Sequence, residues 1–127
     1  MLLDEIALYI EQNIPSLIDN ETLFKNHYPD SPDMIVSVID SGGFPPNLYT
    51  PTREKTFEIK IRSSNYDEGV ILGEQIMSLF HSKNNYLLGG FFIYLSRSYS
   101  DLSYLYADSK NRDEFSLELA FLYKKSN

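Results

Sequence analysis

Apolar positions recur along this chain with two periods, and the change from one to the other marks its elements. In Thr56-Phe57-Glu58-Ile59-Lys60-Ile61-Arg62-Ser63, Phe57, Ile59 and Ile61 alternate with Glu58, Lys60 and Arg62. That is the period-2 pattern of a strand with one dry face and one charged, wet face. Ser64 or Asn65 then offers a helix cap, with Asp67 or Glu68 three residues further on. Tyr66, Val70, Gly73, Met77 and Phe80, widened by Leu72, Ile76 and Leu79, return at helical spacing. The spacing predicts a strand running straight into a helix that folds back on its dry face.

The same two periods divide the remainder. Leu3, Ile6, Ala7, Ile10 and Ile14 predict a first amphipathic helix, brought to an end by Pro15. Thr22-Leu23-Phe24 reads as a short edge strand, and residues 29–33, with Pro29 and Pro32 among Asp and Ser, as a turn cluster. Met34 to Asp40 is apolar on both faces, as a central strand or one at a subunit contact requires. A loop is expected over residues 41–55, which hold Gly42-Gly43, Pro45-Pro46 and Pro51. Its Phe44, Leu48 and Tyr49 should either tuck under the domain or meet another subunit. Ser82 to Asn85 should end the second helix, and Tyr86 to Ser96 reads as one strand bulged at Gly89-Gly90, with Phe91, Ile93 and Leu95 sharing a face. A long connection with Tyr99, Tyr104 and Tyr106 follows, then a strand in which Phe115, Leu117, Leu119, Phe121 and Tyr123 alternate with the residues between them. The expectation is an α+β fold, a single domain over residues 1–127, with a sheet of about four mainly antiparallel strands and two helices packed on it.

Composition narrows the chemistry. A chain of 127 residues supports one core, and with no cysteine it has neither disulfides nor thiolate chemistry. No apolar run approaches the roughly 20 residues of a membrane span, and the start of the chain lacks the pattern of a signal peptide. The expected setting is the cytoplasm of the producing cell, away from membranes. The net charge of −7 is uneven: residues 1–52 carry eight acids against Lys25 alone, while residues 53–127 balance ten acids with ten bases. Such a chain is poorly suited to gripping nucleic acid, and the bases at Arg53, Lys55, Lys60 and Arg62, and at Lys124 and Lys125, read as solvated strand faces.

Candidate catalytic patterns fail on their own terms. Asp40-Ser41-Gly42-Gly43 is like the nucleophile sequence of chymotrypsin-like proteases, but the rest of that constellation is missing and a glycine turn explains it. His27 and His81 lack a metal partner at helical spacing. Asp30 with Asp33, and Asp108 with Asp113, fit no calcium loop and suit turn and cap duty. There is no phosphate loop or dinucleotide fingerprint, so no catalytic residue, cofactor or metal is assigned. Long aromatic loops on a small acidic domain suit an assembly part using heterologous contacts that close into rings.

Five pieces in order carry a resemblance: the amphipathic first helix, Pro32-Asp33-Met34-Ile35-Val36-Ser37-Val38, a Gly-Pro loop, Phe57 to Gly69, and Asp108-Ser109-Lys110-Asn111-Arg112-Asp113-Glu114-Phe115-Ser116-Leu117. Over nearly its whole length the chain resembles the minor capsid and tail terminator proteins of long-tailed bacteriophages. The most specific features are Ile61-Arg62 followed by Ser63-x-x-Tyr66, and Asp108 with Arg112 ahead of the last strand. Gly69 stands where such proteins commonly carry Ala, at a helix cost of about 1 kcal/mol.

The resemblance implies a structural virion protein of a phage or prophage, without enzymatic activity. Its subunits would form a ring, typically a hexamer, that caps the tail tube protein and presents a surface to a head-completion protein. DNA would pass through without specific binding, repelled by an acidic lumen. Expected contact residues are Phe44, Leu48 and Tyr49 in the first loop and Tyr99, Tyr104 and Tyr106 in the second. Arg62 and Arg112 are candidates for intersubunit or loop-anchoring ion pairs, against the reading as ordinary surface pairs, and Asp108 is a further expected contact residue. Two other classes stay open on sequence: a small acidic ligand-binding or enzymatic domain with carboxylates in a cleft, and an acidic adaptor or immunity protein facing a basic partner.

Overall fold

Two helices, α1 (Leu2–Asn13) and α2 (Tyr66–Phe80), lie against one face of a seven-stranded sheet in the computed structural model, which describes residues 1–126. The strands are β1 (Leu23–Lys25), β2 (Ile35–Gly43), β3 (Arg53–Ser63), β4 (Lys83–Leu88), β5 (Phe91–Ser98), β6 (Ser103–Ala107) and β7 (Asp113–Lys125). They run in the order β1-β2-β3-β7-β5-β4, with β6 also on β7; only β1 and β2 pair in parallel.

The central unit forms as its pattern dictates. Phe57, Ile59 and Ile61 are fully buried, and Phe57 meets Phe121 edge-on, with Phe121 in turn against Phe80 of α2. Each such side chain contributes about 1.5–3 kcal/mol on leaving water. Asn65 is the helix cap: its side chain accepts the Glu68 N–H at 3.1 Å. The buried face of α2 is Gly69, Leu72, Gly73, Ile76 and Phe80. Helix α1 buries Leu2, Ile6, Ala7 and Ile10 in the same core and stops before Pro15. It touches β1 and β2 at one edge of the sheet and β4 at the other. Lys25 Nζ lies 3.0 Å from Asp4 on the first side, and Lys83 Nζ donates to the Tyr9 hydroxyl at 2.8 Å on the second. The helix therefore bridges the gap between the two outer strands of a curled sheet.

The expectation of about four strands is corrected to seven, for reasons visible in particular residues. Gly89-Gly90 is a two-residue hairpin turn, with Leu88 opposite Phe91 and Gly89 at φ +57°, and not a bulge in one strand. Lys83-Asn84-Asn85, expected to end α2, opens the edge strand β4; polar residues suit an edge, which conceals it from a hydrophobic pattern. The irregularity in β5 falls instead between Ile93 and Leu95. It turns Leu95 outward and gives the inward place to Ser96, whose hydroxyl is bonded to the Phe80 carbonyl at 2.7 Å. The connection after β5 contains β6, which continues along β7 past the Tyr99 N–H to Glu118 O bond.

Strand β2 is not central; β3 and β7 are. Its second face is covered by the protein's own residues 26–34. Ser37 Oγ donates to the His27 carbonyl at 2.5 Å, and Asn26 N–H bonds Val38 O at 2.8 Å. No helix is long and apolar enough to cross a membrane among the described residues.

Candidate functional site

Two arginines on the outer side of the sheet organise the segment that crosses β2. Arg62, expected on a wet face, is 2% exposed, and Arg112, just ahead of β7, is 3% exposed. Arg62 donates through Nε to Asp33 O at 3.2 Å and through Nη2 to Pro32 O at 2.7 Å. Arg112 holds three acids: Nε meets Asp108 Oδ2 at 2.8 Å, Nη2 meets Asp30 Oδ1 at 2.8 Å, and Nη1 approaches Asp33 Oδ1 at 3.4 Å while donating to Asp30 O. Asp108 is held in turn by the N–H groups of Lys110 and Arg112. Both arginines thus hold the segment around Asp30 to Asp33 and are buried, not on the surface; Arg112 does so through ion pairs, whereas Arg62 binds carbonyls and makes no salt bridge among the described residues.

Tyr28 sits at the centre of this crossing. Its hydroxyl donates to Glu114 Oε1 at 2.9 Å, and Lys60 Nζ and the Arg62 guanidinium lie 4.4 and 5.1 Å from its ring centre. Burial, then the Glu114 carboxylate, pushes its phenol pKa up. Lys110 and then Arg112 pull the Asp30 carboxyl down to about 2. At Asp108 burial works against ionisation, but the Arg112 N–H and guanidinium outweigh it and the pKa is lowered. Asp108, then Asp30, raise that of Arg112. These carboxylates are held ionised, the opposite of what a proton donor in a catalytic cleft needs. The shallow cavity of ≈ 340 Å³ that Tyr28, Lys60, Arg62, Tyr106, Asp108 and Arg112 line is an internally satisfied network. Among the described residues no buried side-chain polar atom lacks a partner, and no group of three or more His, Asp or Glu could hold a metal.

The other predicted contact residues lie apart from this network. Strands β2 and β3 extend further than expected, so the loop shortens to an arm, residues 44–52. Phe44, Leu48 and Tyr49 are 56%, 89% and 91% exposed, so none tucks under the domain. Local bonds shape the arm: Phe44 N–H to Glu54 O at 3.1 Å, and the Tyr49 N–H to Asn47 Oδ1 at 2.8 Å. At its base Gly43 has φ +140°, and a Cβ there would stand 2.6 Å from Glu54 O, so only glycine fits. Tyr99 lies under Arg97, 5.1 Å from the guanidinium carbon, and stays half-exposed. Tyr104 stacks with Tyr66 and Phe115 and bonds Asp113, while Tyr106 faces Glu114.

The sequence pattern singled out Arg62, and Asp108 together with Arg112, but not Tyr28 and Glu114. Their signal was a tyrosine beside a proline and an acid directly opposite Arg62 in the β3–β7 register. It also passed over a groove at the far end of the sheet, ≈ 770 Å³, lined by Pro51, Arg53, Phe91, Tyr123, Lys124 and Lys125.

Comparison with known proteins fits this non-catalytic geometry. Residues 12–125 match the sequence profile of a family described as bacteriophage tail terminator protein. A solved structure superposes with a TM-score of 0.61 at 8% identity, covering 99% of this chain and 92% of the other, a likeness of fold alone. Comparison with curated proteins finds no match.

Proposed function

Because the chain belongs to the bacteriophage tail terminator family, whose members are structural components of the virion tail and not enzymes, we propose that its subunits close into a ring, typically a hexamer, on the finished tail tube. The ring stops tube growth and offers its other surface to a head-completion protein. The observation that carries this reading is the family match over residues 12–125, nearly the whole chain. The exposed arm with Phe44, Leu48 and Tyr49, and the half-exposed Tyr99, Tyr104 and Tyr106, support it as contact surfaces. DNA passes through the ring without being held, in keeping with a net charge of −7.

Disrupting the gene in its parent phage or prophage and viewing the lysate by electron microscopy tests the proposal. Overlong tails, or tails beside separate filled heads, are the expected result. Normal particles would overturn it.

A further inference from the structure

Four of the eight acids in residues 1–52 are paired with a cation within the subunit: Asp4 with Lys25, Asp40 with Lys55, and Asp30 and Asp33 with a shared Arg112. The four without a salt-bridge partner among the described residues are Glu5, Glu11, Asp19 and Glu21, along α1 and in the turn ahead of β1. Asp4, Leu8 and Glu11 share the outward stripe of α1, and they line one shallow cavity with Asp19 and with Lys25, the partner of Asp4, so that acids outnumber the single base there. Leu8 is 45% exposed and the neighbouring Ile18 48%, so this acidic face also carries apolar surface without cover.

The groove at the end of β3, β5 and β7 is its complement. Arg53 and Lys125 stand on the face of Tyr123, and Lys124 lies at the rim with its Nζ 5.9 Å from the Phe92 and Tyr94 ring centres of the other face; none of the three has a salt-bridge partner among the described residues. Phe91 and Tyr123 form an apolar floor, stacked edge-on at 5.7 Å. Pro51 brings the base of the arm to one wall, and the arm offers Leu48 and Tyr49 beyond it. An acidic partner with exposed aliphatic side chains fits such a groove in both charge and polarity.

We propose that the groove receives the α1 face of a second copy of this chain, with Arg53, Lys124 and Lys125 against Glu11, Asp19 and Glu21, and the arm over Leu8 and Ile18. The two faces share no residue, so the contact is heterologous and propagates from subunit to subunit until it closes. This inference rests on the ring reading above and adds which surfaces join.

The test uses a gene-disrupted phage complemented with full-length variants. With benzoylphenylalanine in place of Leu48, irradiated particles should yield a covalent dimer of this chain, its cross-link mapping by mass spectrometry to α1 or residues 18–21. Capture of a tail tube protein, capture of another part of a second copy, or no cross-link in normally terminated particles overturns the assignment. Reversing charge in K124E/K125E should lower the titre by about tenfold or more, and adding D19K/E21K in the same chain should restore it. Full titre from K124E/K125E alone overturns the pairing while leaving the terminator reading intact. Failure of the wild-type gene to cure overlong tails overturns both.

Discussion

The ring of Phe115 lies where a Cβ on Gly69 would stand: Cε1 is 2.3 Å from that point. Phe115 cannot easily swing clear, because Tyr66 and Tyr104 pack against it at ring-centre separations of 5.3 and 5.6 Å. Glycine here is a condition of close approach between α2 and β7, and not merely a weak helix former. Gly69→Ala gains about 1 kcal/mol of helix propensity but forces an overpacking cost of about 1–3 kcal/mol. We expect a net loss of stability in urea unfolding; a gain would mean that Phe115 finds another rotamer.

Arg112 is the common partner of Asp30, Asp33 and Asp108. Its replacement by Ala leaves Asp108 without a counter-ion in a mostly covered site and releases Asp30 and Asp33, while Arg62 still holds the Pro32 and Asp33 carbonyls, so a loss of stability is expected. Arg112→Lys keeps the charge but loses the fork that serves several acceptors at once, so an intermediate loss is expected. Denaturant midpoints for the two variants should rank wild type, Lys, Ala; equal midpoints for all three would contradict the anchoring role.

Acid should weaken the same anchor. The Asp30 carboxyl titrates near 2 in the folded protein against an ordinary 3.8, and those of Asp40 and Asp108 are also lowered. A group whose folded pKa is depressed contributes fully above its unfolded value and loses that contribution as the pH falls through the folded one. Unfolding free energy should therefore decline as pH drops from 3.8 towards about 2. The decline should be shallower in Arg112→Ala, where Asp30 and Asp108 have lost a partner. Identical slopes in the two proteins would remove these ion pairs as the cause.

The arm makes few bonds to the body of the protein, and its apolar residues face solvent. Replacing residues 45–51 by a short Gly-Ser turn, with Gly43 and Arg53 kept, should leave the unfolding midpoint within about 0.5 kcal/mol of wild type. The same variant should fail to terminate tails when supplied to the disrupted phage. An unfolded product would show instead that the arm belongs to the core.

What the sequence determined by itself is what period and local chemistry can carry. The strand through Phe57, Ile59 and Ile61, its continuation into a helix capped at Asn65, the end of α1 before Pro15 and the alternation of β7 all follow from residues close together in the chain. The family was legible too, from pieces spread in order along nearly the whole chain, and the profile match covers residues 12–125. Tertiary structure alone decided where residues distant in sequence meet. It made an edge strand of Lys83-Asn84-Asn85, because pairing with β5 satisfies a backbone whose side chains give no apolar signal. It buried Arg62 on a nominally wet face, because the chain from Tyr28 to Asp33 crosses there and presents its carbonyls. It also gathered Arg53, Lys124 and Lys125 at one groove, because β3 and β7 lie antiparallel and bring the start of one strand to the end of the other. Period 2 tells which face a side chain takes; only the docking of strands and loops tells what lies over that face.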